Sequence, residues 1–242
     1  MTTGSVRIGW IGIGRMGYAM AERLAANGAD LTVWNRTRAK AEPLAQKGAR
    51  IAERLSDLAA CDIVFVMVST VDDVHDVIAG ARGLLSGGDE VRCKLIVECS
   101  SISLEGSAEL RAMLAKRGID LLAAPVSGNA KVIKAGRLSF VCSGPRSAYD
   151  AALPYLRLIA PAASYVGEGE LARIVKICHN VFLGVVIQSL AEITILAQKA
   201  GGPRHAFLDF INQGVMGSTF SRYKSPALVN LDFKVTFTPT LL

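Results

Sequence analysis

The sequence predicts an α/β fold, in which a mostly parallel sheet is followed by an all-α unit. Short apolar runs alternate with helical patterns over the first two-thirds of the chain, the order that βαβ units produce. Most of these runs lack period-2 alternation, as expected of strands covered on both faces. After Gly167 helical periodicity continues and no strand-rich stretch returns.

The predicted strands and helices follow each other in regular order. Seven apolar runs are candidate strands, at residues 6–11, 31–34, 62–68, 94–98, 119–123, 138–142 and 163–166. Helix candidates between them include residues 16–26, 104–117 and 147–159. Gly28, Gly48 and Gly118 follow helical patterns at places suited to C-caps.

A domain boundary is predicted near Gly167. A long helical pattern runs from Glu170 to about Ala200 and is stopped by two glycines and a proline. We therefore predict two domains. The first covers residues 1–166, and the second, residues 167–242, is helical and begins with the long helix.

The most apolar part of that helix is residues 181–197, which contain Gln188, Ser189 and Glu192. We expect this stretch to be too short and too polar to cross a bilayer, which takes about 20 apolar residues. It is interpreted as a helix buried between domains or subunits, and no membrane partner is predicted.

Composition limits the classes of partner. The chain has 242 residues with 51% hydrophobic content, ample for a buried core, and a net charge of +6. This charge suits an anionic ligand, but no dense basic run with interleaved aromatics appears, so no nucleic acid is expected. The five cysteines form no CxxC pair and no N-terminal signal segment is present. A reducing cytoplasm is the expected compartment.

The segment Gly12-Ile13-Gly14-Arg15-Met16-Gly17 follows the first predicted strand and opens a helix. This context raises a G-x-G-x-x-G pattern to a dinucleotide-binding prediction. The first glycine permits a tight turn, the second lets backbone amides approach a pyrophosphate, and the third lets helix pack on strand. The helix N-terminus adds donors and partial positive charge. The alternative, a glycine-rich turn without a ligand, is less favoured in this context.

The end of the second strand bears on which dinucleotide binds. An NAD site carries an acid there for the ribose 2′-OH, but this chain reads Asn35-Arg36-Thr37. The Arg36 guanidinium suits a 2′-phosphate, and its neighbours offer further donors. The alternative is that Arg36 and Arg38 are solvated loop charges. NADP is favoured over NAD.

Two further strand ends are expected to line the cofactor cleft, because ligands of open α/β sheets bind at the carboxyl edge. They are Val68-Ser69-Thr70 and Cys99-Ser100-Ser101. Cofactor contact is predicted for both loops. Each serine pair equally suits an N-cap of the following helix.

Lys176 and Asn180 are four residues apart and share one face of the long helix. Reduction of a carbonyl by a nicotinamide requires a donor that protonates the oxygen. A partly desolvated lysine has a lowered pKa and can serve as that acid–base group. Asn180 would orient the substrate or the ammonium. The alternative is that Lys176 snorkels to water from a helix end.

The run Ala124-Pro-Val-Ser127-Gly128-Asn129 ends the fifth predicted strand and so lies at the cleft edge. Ser127 and the backbone amides of Gly128 and Asn129 suit a small carboxylate. The alternative is an ordinary βα turn. No metal site is predicted.

Together these motifs resemble the β-hydroxyacid dehydrogenase family, whose best-known type is 3-hydroxyisobutyrate dehydrogenase. The matching segments are Gly12-Ile-Gly-Arg-Met-Gly17-Tyr-Ala-Met20-Ala21, Ala124-Pro-Val-Ser-Gly128, Gly167-Glu-Gly169, Lys176-x-x-x-Asn180 and Ala191-Glu192. The resemblance implies a Rossmann-type first domain and a homodimer or homotetramer. It implies that Lys176 is the catalytic acid–base group, that Asn180 assists it, that Ser127-Gly128 binds substrate and that Ser101 touches the cofactor.

Two positions depart from the family pattern within the expected site. The usual Ser-Gly-Gly reads Ser127-Gly128-Asn129, and the usual Asn-Asn reads His179-Asn180. Both changes concern substrate identity more than reaction type. His179 lies about 100° round the helix from Asn180 and is expected to pack or cap.

A third departure is at the C-terminus. The chain stops at Leu242, before the family's cofactor-contacting Lys-Asp and its final helices. The second domain is therefore expected to be truncated. Lys234 lies upstream of the position where that lysine belongs.

The sequence thus predicts an NADP-dependent oxidoreductase that transfers a hydride reversibly between nicotinamide and a small 3-hydroxy acid or its semialdehyde. Alternatives on the same scaffold are a sugar-acid, an aromatic 3-hydroxy amino acid or a decarboxylating dehydrogenase. A rival from another class is a non-catalytic NADP(H)-binding assembly or sensor module.

Overall fold

A computed structural model describes residues 6–233, apart from the side chains of residues 88–90. The strands are β1 Arg7–Ile11, β2 Asp30–Trp34, β3 Arg50–Ile51, β4 Ile63–Val66, β5 Leu95–Glu98, β6 Asp120–Ala123, β7 Val126–Ser127, β8 Ser139–Cys142 and β9 Ala162–Tyr165. The helices are α1 Arg15–Ala26, α2 Glu42–Ala45, α3 Val71–Ala79, α4 Leu104–Ala115, α5 Ala130–Lys134, α6 Arg146–Ile159, α7 Leu171–Lys199, α8 Arg204–Gln213 and α9 Thr219–Asn230. The predicted α/β class is confirmed.

The main sheet has six parallel strands in the order β3-β2-β1-β4-β5-β6. This is the order of dinucleotide-binding sheets, in which the crevice forms where the strand order reverses. Here the reversal falls between β1 and β4. Every residue of β4 and β5 is buried, which explains why these strands read as continuous apolar runs.

Helices cover both faces of the sheet. Trp10 of β1 stacks on Phe65 of β4 with ring centroids 5.3 Å apart, inside the largest of three apolar clusters in the described chain. Gly28, Gly48 and Gly118 have φ values of 77°, 93° and 66°. These left-handed conformations follow helical segments, which confirms the predicted C-caps.

The strands predicted at 138–142 and 163–166 lie in a second sheet rather than in the main one. This sheet has the order β7-β8-β9, with β7 antiparallel and β9 parallel to β8. The two strands that the sequence did not predict, β3 and β7, are two residues long. Strands this short leave no periodic pattern.

Contacts divide the chain into two compact units, Met1–Lys176 and Ile177–Leu242. The first contains both sheets and the start of α7. In the second, α8, α9 and the later part of α7 pack around Leu190, Leu208 and Leu228. The sequence placed the boundary earlier, near Gly167, before α7 begins.

Helix α7 corrects one expectation. It has 29 residues, and its most apolar window has a mean hydropathy of 1.8, so by length and composition it is able to cross a membrane. The statement that this stretch is too short and too polar to do so was wrong. Buried helices of soluble proteins can have the same length and hydropathy. However, 6% of this window is buried within the described chain, so the described part of the chain leaves this helix largely uncovered.

Candidate dinucleotide and substrate site

The turn after β1 admits only glycine at two positions. Gly12 has a φ of +96°, and a Cβ there would lie 2.1 Å from the Met67 carbonyl oxygen. A Cβ at Gly17 would lie 1.9 Å from the Gly12 carbonyl oxygen, which also accepts a 3.0 Å hydrogen bond from the Trp10 indole. Backbone packing of strand against helix therefore requires both residues.

Gly14 has a different role, because a Cβ there would have no heavy atom within 4 Å in the described chain. Helix α1 begins at the next residue, and no side chain caps it. Its first N–H groups lack helical acceptors and carry the positive end of the helix dipole. Open space beside uncapped amides fits a pyrophosphate. Gly14 and Arg15 are exposed, Met16 is half-buried and Ile13 is buried.

The tip of β2 is tied to this turn. The Asn35 carboxamide oxygen accepts a 2.8 Å hydrogen bond from the Ile13 N–H, and its nitrogen donates to the Thr37 carbonyl at 2.8 Å. Asn35 thus joins the two loops through its carboxamide. Arg38 pairs with Glu53 at 2.8 Å. The Arg36 Nη1 atom lies 3.7 Å from the Asp73 carboxylate, and 88% of the Arg36 side chain is exposed.

The structure decides between capping and other roles for the serines after β4 and β5. The caps are Thr70 for α3 and Ser103 for α4. Ser100 is buried, and its hydroxyl accepts a 2.9 Å hydrogen bond from the Val68 N–H. Ser69 and Ser101 are exposed at the carboxyl edge, where cofactor contact was predicted.

A buried ion pair at the end of β5 was missed from the sequence. The Arg173 guanidinium donates to the Glu98 carboxylate, and the side chains are 2% and 0% exposed. Arg173 also donates to the Ser100 carbonyl oxygen at 2.7 Å. A sequence signal existed, since an acid ends an otherwise apolar strand and buried acids require a partner.

Further polar groups fix the residues just before and within the first turn of α7. Arg111 donates to the Glu170 carboxylate at 2.7 Å and to the Gly169 carbonyl at 2.9 Å. The Ser107 hydroxyl donates to the other Glu170 oxygen. Directly after β8 of the second sheet, the Ser143 hydroxyl accepts from the Ala172 N–H at 2.9 Å. The start of α7 is therefore held to both sheets of the first unit.

This anchoring determines where Lys176 lies. Lys176 follows Arg173 by one helical turn, about 5 Å along the axis and on the same side of the helix. It is half-buried, and burial lowers the pKa of its ammonium group. Within residues 6–233 no hydrogen bond or ion pair reaches that group. Lys176 thus lies on the same side of α7 as Arg173 and is partly desolvated.

Asn180 and His179 lie one turn further along α7, and both are half-buried. The His179 Nδ1 atom is 3.3 Å from the Asn180 side-chain oxygen. The ring therefore contacts the carboxamide of its neighbour.

The loop around Ser127 also reaches the carboxyl edge, because the Ala124 N–H donates to the Glu98 carbonyl at 2.7 Å. Gly128 has a φ of +135°, and a Cβ there would meet Val132 at 2.8 Å. The Asn129 side-chain oxygen caps α5, accepting from the Lys131 and Val132 N–H groups at 3.0 and 3.1 Å. The side chain that departs from the family pattern therefore stabilises α5.

Lys234 lies outside the described residues. In the described part of the chain, no group of three His, Cys, Asp or Glu residues is placed to hold a metal.

Comparisons with known proteins identify the family of this chain. The model of the NAD binding domain of 6-phosphogluconate dehydrogenase matches residues 7–167. The chain is 31% identical over 235 residues to glyoxylate/succinic semialdehyde reductase 2, chloroplastic, of Arabidopsis thaliana, covering 97% of this chain and 65% of that protein. It is 31% identical over 232 residues to the cytokine-like nuclear factor N-PAC of Homo sapiens, covering 96% and 42%. Mycobacterium tuberculosis 3-hydroxyisobutyrate dehydrogenase gives 26% identity and a TM-score of 0.82, covering 98% of this chain and 82% of that chain.

The strand order, the glycine turn and the uncapped α1 terminus define a dinucleotide-binding α/β protein. The chain belongs to the NAD(P)-binding, hydroxyacid dehydrogenase-like oxidoreductase family that shares the nucleotide domain of 6-phosphogluconate dehydrogenase. The predicted β-hydroxyacid dehydrogenase resemblance is confirmed. The chain spans less than two thirds of the length of the plant reductase and of N-PAC.

Proposed function

We propose that this protein is an NADP-dependent oxidoreductase that transfers a hydride reversibly between nicotinamide and a small 3-hydroxy acid or its semialdehyde. The observation that carries the proposal is the Arg173 bond to the Ser100 carbonyl oxygen. It holds the turn bearing Lys176 at the carboxyl edge of the sheet, the edge at which the glycine turn also lies.

The cofactor residues are those of the β1 and β2 loops. Uncapped amides at Gly14, Arg15 and Met16 would hold the pyrophosphate, and Arg36 would hold a 2′-phosphate. Ser69 and Ser101 are exposed at the same edge. When bound, the reduced dinucleotide supplies the hydride.

The chain's own residues supply substrate binding and the proton. Lys176 donates its proton to the carbonyl oxygen during reduction and accepts it back during oxidation. Its partial burial lowers the pKa of the ammonium group, which makes its proton easier to release than that of an exposed lysine. Ser127 and the backbone amides of Gly128 and Asn129 bind the substrate carboxylate. Asn180 helps to orient the reacting groups.

A substrate panel tests the proposal. Glyoxylate, succinic semialdehyde and 3-hydroxyisobutyrate follow from the names of the similar proteins. Each is assayed with NADPH or NADP+ and with the matching NAD form, by cofactor absorbance. Turnover with a lower KM for NADPH than for NADH is expected. A clear preference for NADH would overturn the cofactor assignment, and carbon dioxide release would identify a decarboxylating enzyme instead.

A second candidate is a nucleotide-holding module without catalysis. The similarity to N-PAC, whose name describes a nuclear factor, supports this alternative. The half-buried Lys176, which has no polar partner in the described chain, argues for catalysis. Tight NADP(H) binding with no turnover across the panel would favour the module.

Self-association and a reducing compartment complete the proposal. Exposed apolar side chains on α7, among them Phe182 at 68% and Leu196 at 67%, form a surface that a second copy would cover. All five cysteines are free. Burial raises the pKa of Cys93 and Cys142 to about 12, so both remain thiols. A cytoplasmic location suits this state.

A further inference from the structure

An ion pair connects the two loops that flank the glycine turn. The Arg36 Nη1 atom lies 3.7 Å from the Asp73 Oδ1 atom. Arg36 follows β2, whereas Asp73 is in the first turn of α3, after β4. In the sheet, β1 lies between those strands. The pair therefore joins loops on either side of the turn that would hold the pyrophosphate.

The positions of both partners are restrained. The Asp73 N–H donates to the Thr70 hydroxyl at 3.0 Å, which fixes the first turn of α3. Asn35, held by the Ile13 N–H, fixes the chain just before Arg36. Because Arg38 pairs with Glu53, Arg36 is the β2-loop cation that faces Asp73.

We propose that Asp73 is a specificity-determining residue that lowers the preference of this protein for NADP over NAD. The inference rests on the proposed dinucleotide function and on Arg36 as the 2′-phosphate ligand. A 2′-phosphate must displace Asp73 from Arg36 and then remain near its negative charge, and like charges repel. The 2′-hydroxyl of NAD carries no charge and is able to donate a hydrogen bond to the same carboxylate.

The neighbouring Asp72 offers a matched control. It lies in the same first turn of α3, is exposed, and forms no ion pair within the described chain. Asp73→Asn and Asp72→Asn remove the same charge from the same helix terminus. A contribution from net charge or from the helix dipole would affect both variants, but competition for Arg36 affects only the first.

The experiment measures dissociation constants of NADP+ and NAD+ by titration calorimetry for the wild type and both variants. We expect Asp73→Asn to lower the Kd of NADP+ roughly three- to tenfold and to leave or raise that of NAD+. Asp72→Asn should change either value less than about twofold. The gain should shrink in about 0.5 M salt, because screening weakens exposed charges. When Arg36 is already replaced by alanine, adding Asp73→Asn should no longer lower the Kd of NADP+.

Three results would overturn the inference. They are an unchanged or weaker NADP+ affinity in Asp73→Asn, an equal gain in Asp72→Asn, or a gain that persists without Arg36. Wild-type protein that binds NADP+ but shows one of these results would refute only the role of Asp73. Wild-type protein that binds neither dinucleotide would refute the proposed function as well.

Discussion

The Arg173 guanidinium and the Glu98 carboxylate form a buried ion pair between residues that are 75 positions apart in the sequence. The pair joins the last residue of a sheet strand to the first turn of the helix that carries Lys176. Removing one partner leaves the other charge buried and unpaired, which costs several kcal/mol.

Breaking this pair should therefore destabilise the first unit. Arg173→Met is expected to lower the free energy of unfolding in urea by about 3–5 kcal/mol, and Glu98→Leu/Arg173→Met by much less, because apolar pairs replace buried ion pairs well. The exposed Arg146–Asp150 pair is the control, and Asp150→Asn should cost less than about 1 kcal/mol. An Arg173→Met variant as stable as the control would contradict the pair's burial.

The Glu98→Leu/Arg173→Met variant also tests whether this ion pair positions Lys176. It lacks the Arg173 bond to the Ser100 carbonyl oxygen, so the turn bearing Lys176 is less well fixed. We expect its kcat to fall at least about tenfold, while the KM for NADPH changes little, because loose placement of a catalytic group slows the reaction. A stable double variant with wild-type kcat would show that the ion pair serves stability alone.

Lys176→Met should lose activity without losing stability. Burial lowers the pKa of Lys176 in the folded chain, so between that pKa and the ordinary value near 10.4 the unfolded chain binds more protons. The folded wild type is therefore penalised at neutral pH and gains stability as pH rises through that window. The variant should unfold at equal or higher urea concentration at pH 7, and this advantage should shrink at high pH.

The pH dependence of kcat gives a second measurement. Reduction requires protonated Lys176 and should slow as pH rises through its lowered pKa, whereas oxidation requires the neutral amine and should speed up. Lys199→Met, at the other end of α7, is the control and should match the wild type. Equal slopes in both directions, or near-wild-type kcat in Lys176→Met, would exclude Lys176 as the acid–base group.

Two substitutions in the glycine turn separate its contribution to stability from its contribution to cofactor binding. Gly12→Ala places a Cβ 2.1 Å from a carbonyl oxygen at a φ of +96°, and should cost more than about 2 kcal/mol. Gly14→Ala meets no atom, so stability should change by less than about 1 kcal/mol. The methyl group would occupy the pyrophosphate space and raise the Kd of NADP+ at least about tenfold. Normal NADP+ binding by Gly14→Ala would refute pyrophosphate binding at this turn.

The apolar face of α7 predicts self-association. Light scattering coupled to size exclusion should give a dimer or tetramer for the wild type, and Phe182→Glu should shift it towards the monomer, since a buried unpaired charge disfavours the contact. Val215→Glu, at a fully exposed valine outside α7, is the control. A wild type that is monomeric at tens of micromolar would contradict self-association through this face, which a different partner would then have to cover.

The glycine turn and the buried strands were predictable because local sequence controls them. The Gly12 and Gly17 constraints follow from backbone sterics over a few residues, and the buried strands follow from continuous apolar runs. Two-residue strands such as β7 carry no such pattern. The roles of Asn35 and Asn129 were less predictable, since either carboxamide is able to bind a ligand or the backbone. Their neighbours in the fold determined that both bind backbone groups.

The sequence by itself determined the α/β class, the dinucleotide turn, the family and the spacing of Lys176 and Asn180 on one helix. Tertiary structure alone decided that Arg173 pairs with Glu98, that Ser100 binds Val68 and that Arg36 faces Asp73. The physical reason is the separation along the chain over which each interaction acts. Periodicity and steric limits act between neighbours in the chain, whereas a buried or paired polar group takes its partner from whichever distant segment the packing of the sheet brings within hydrogen-bonding distance.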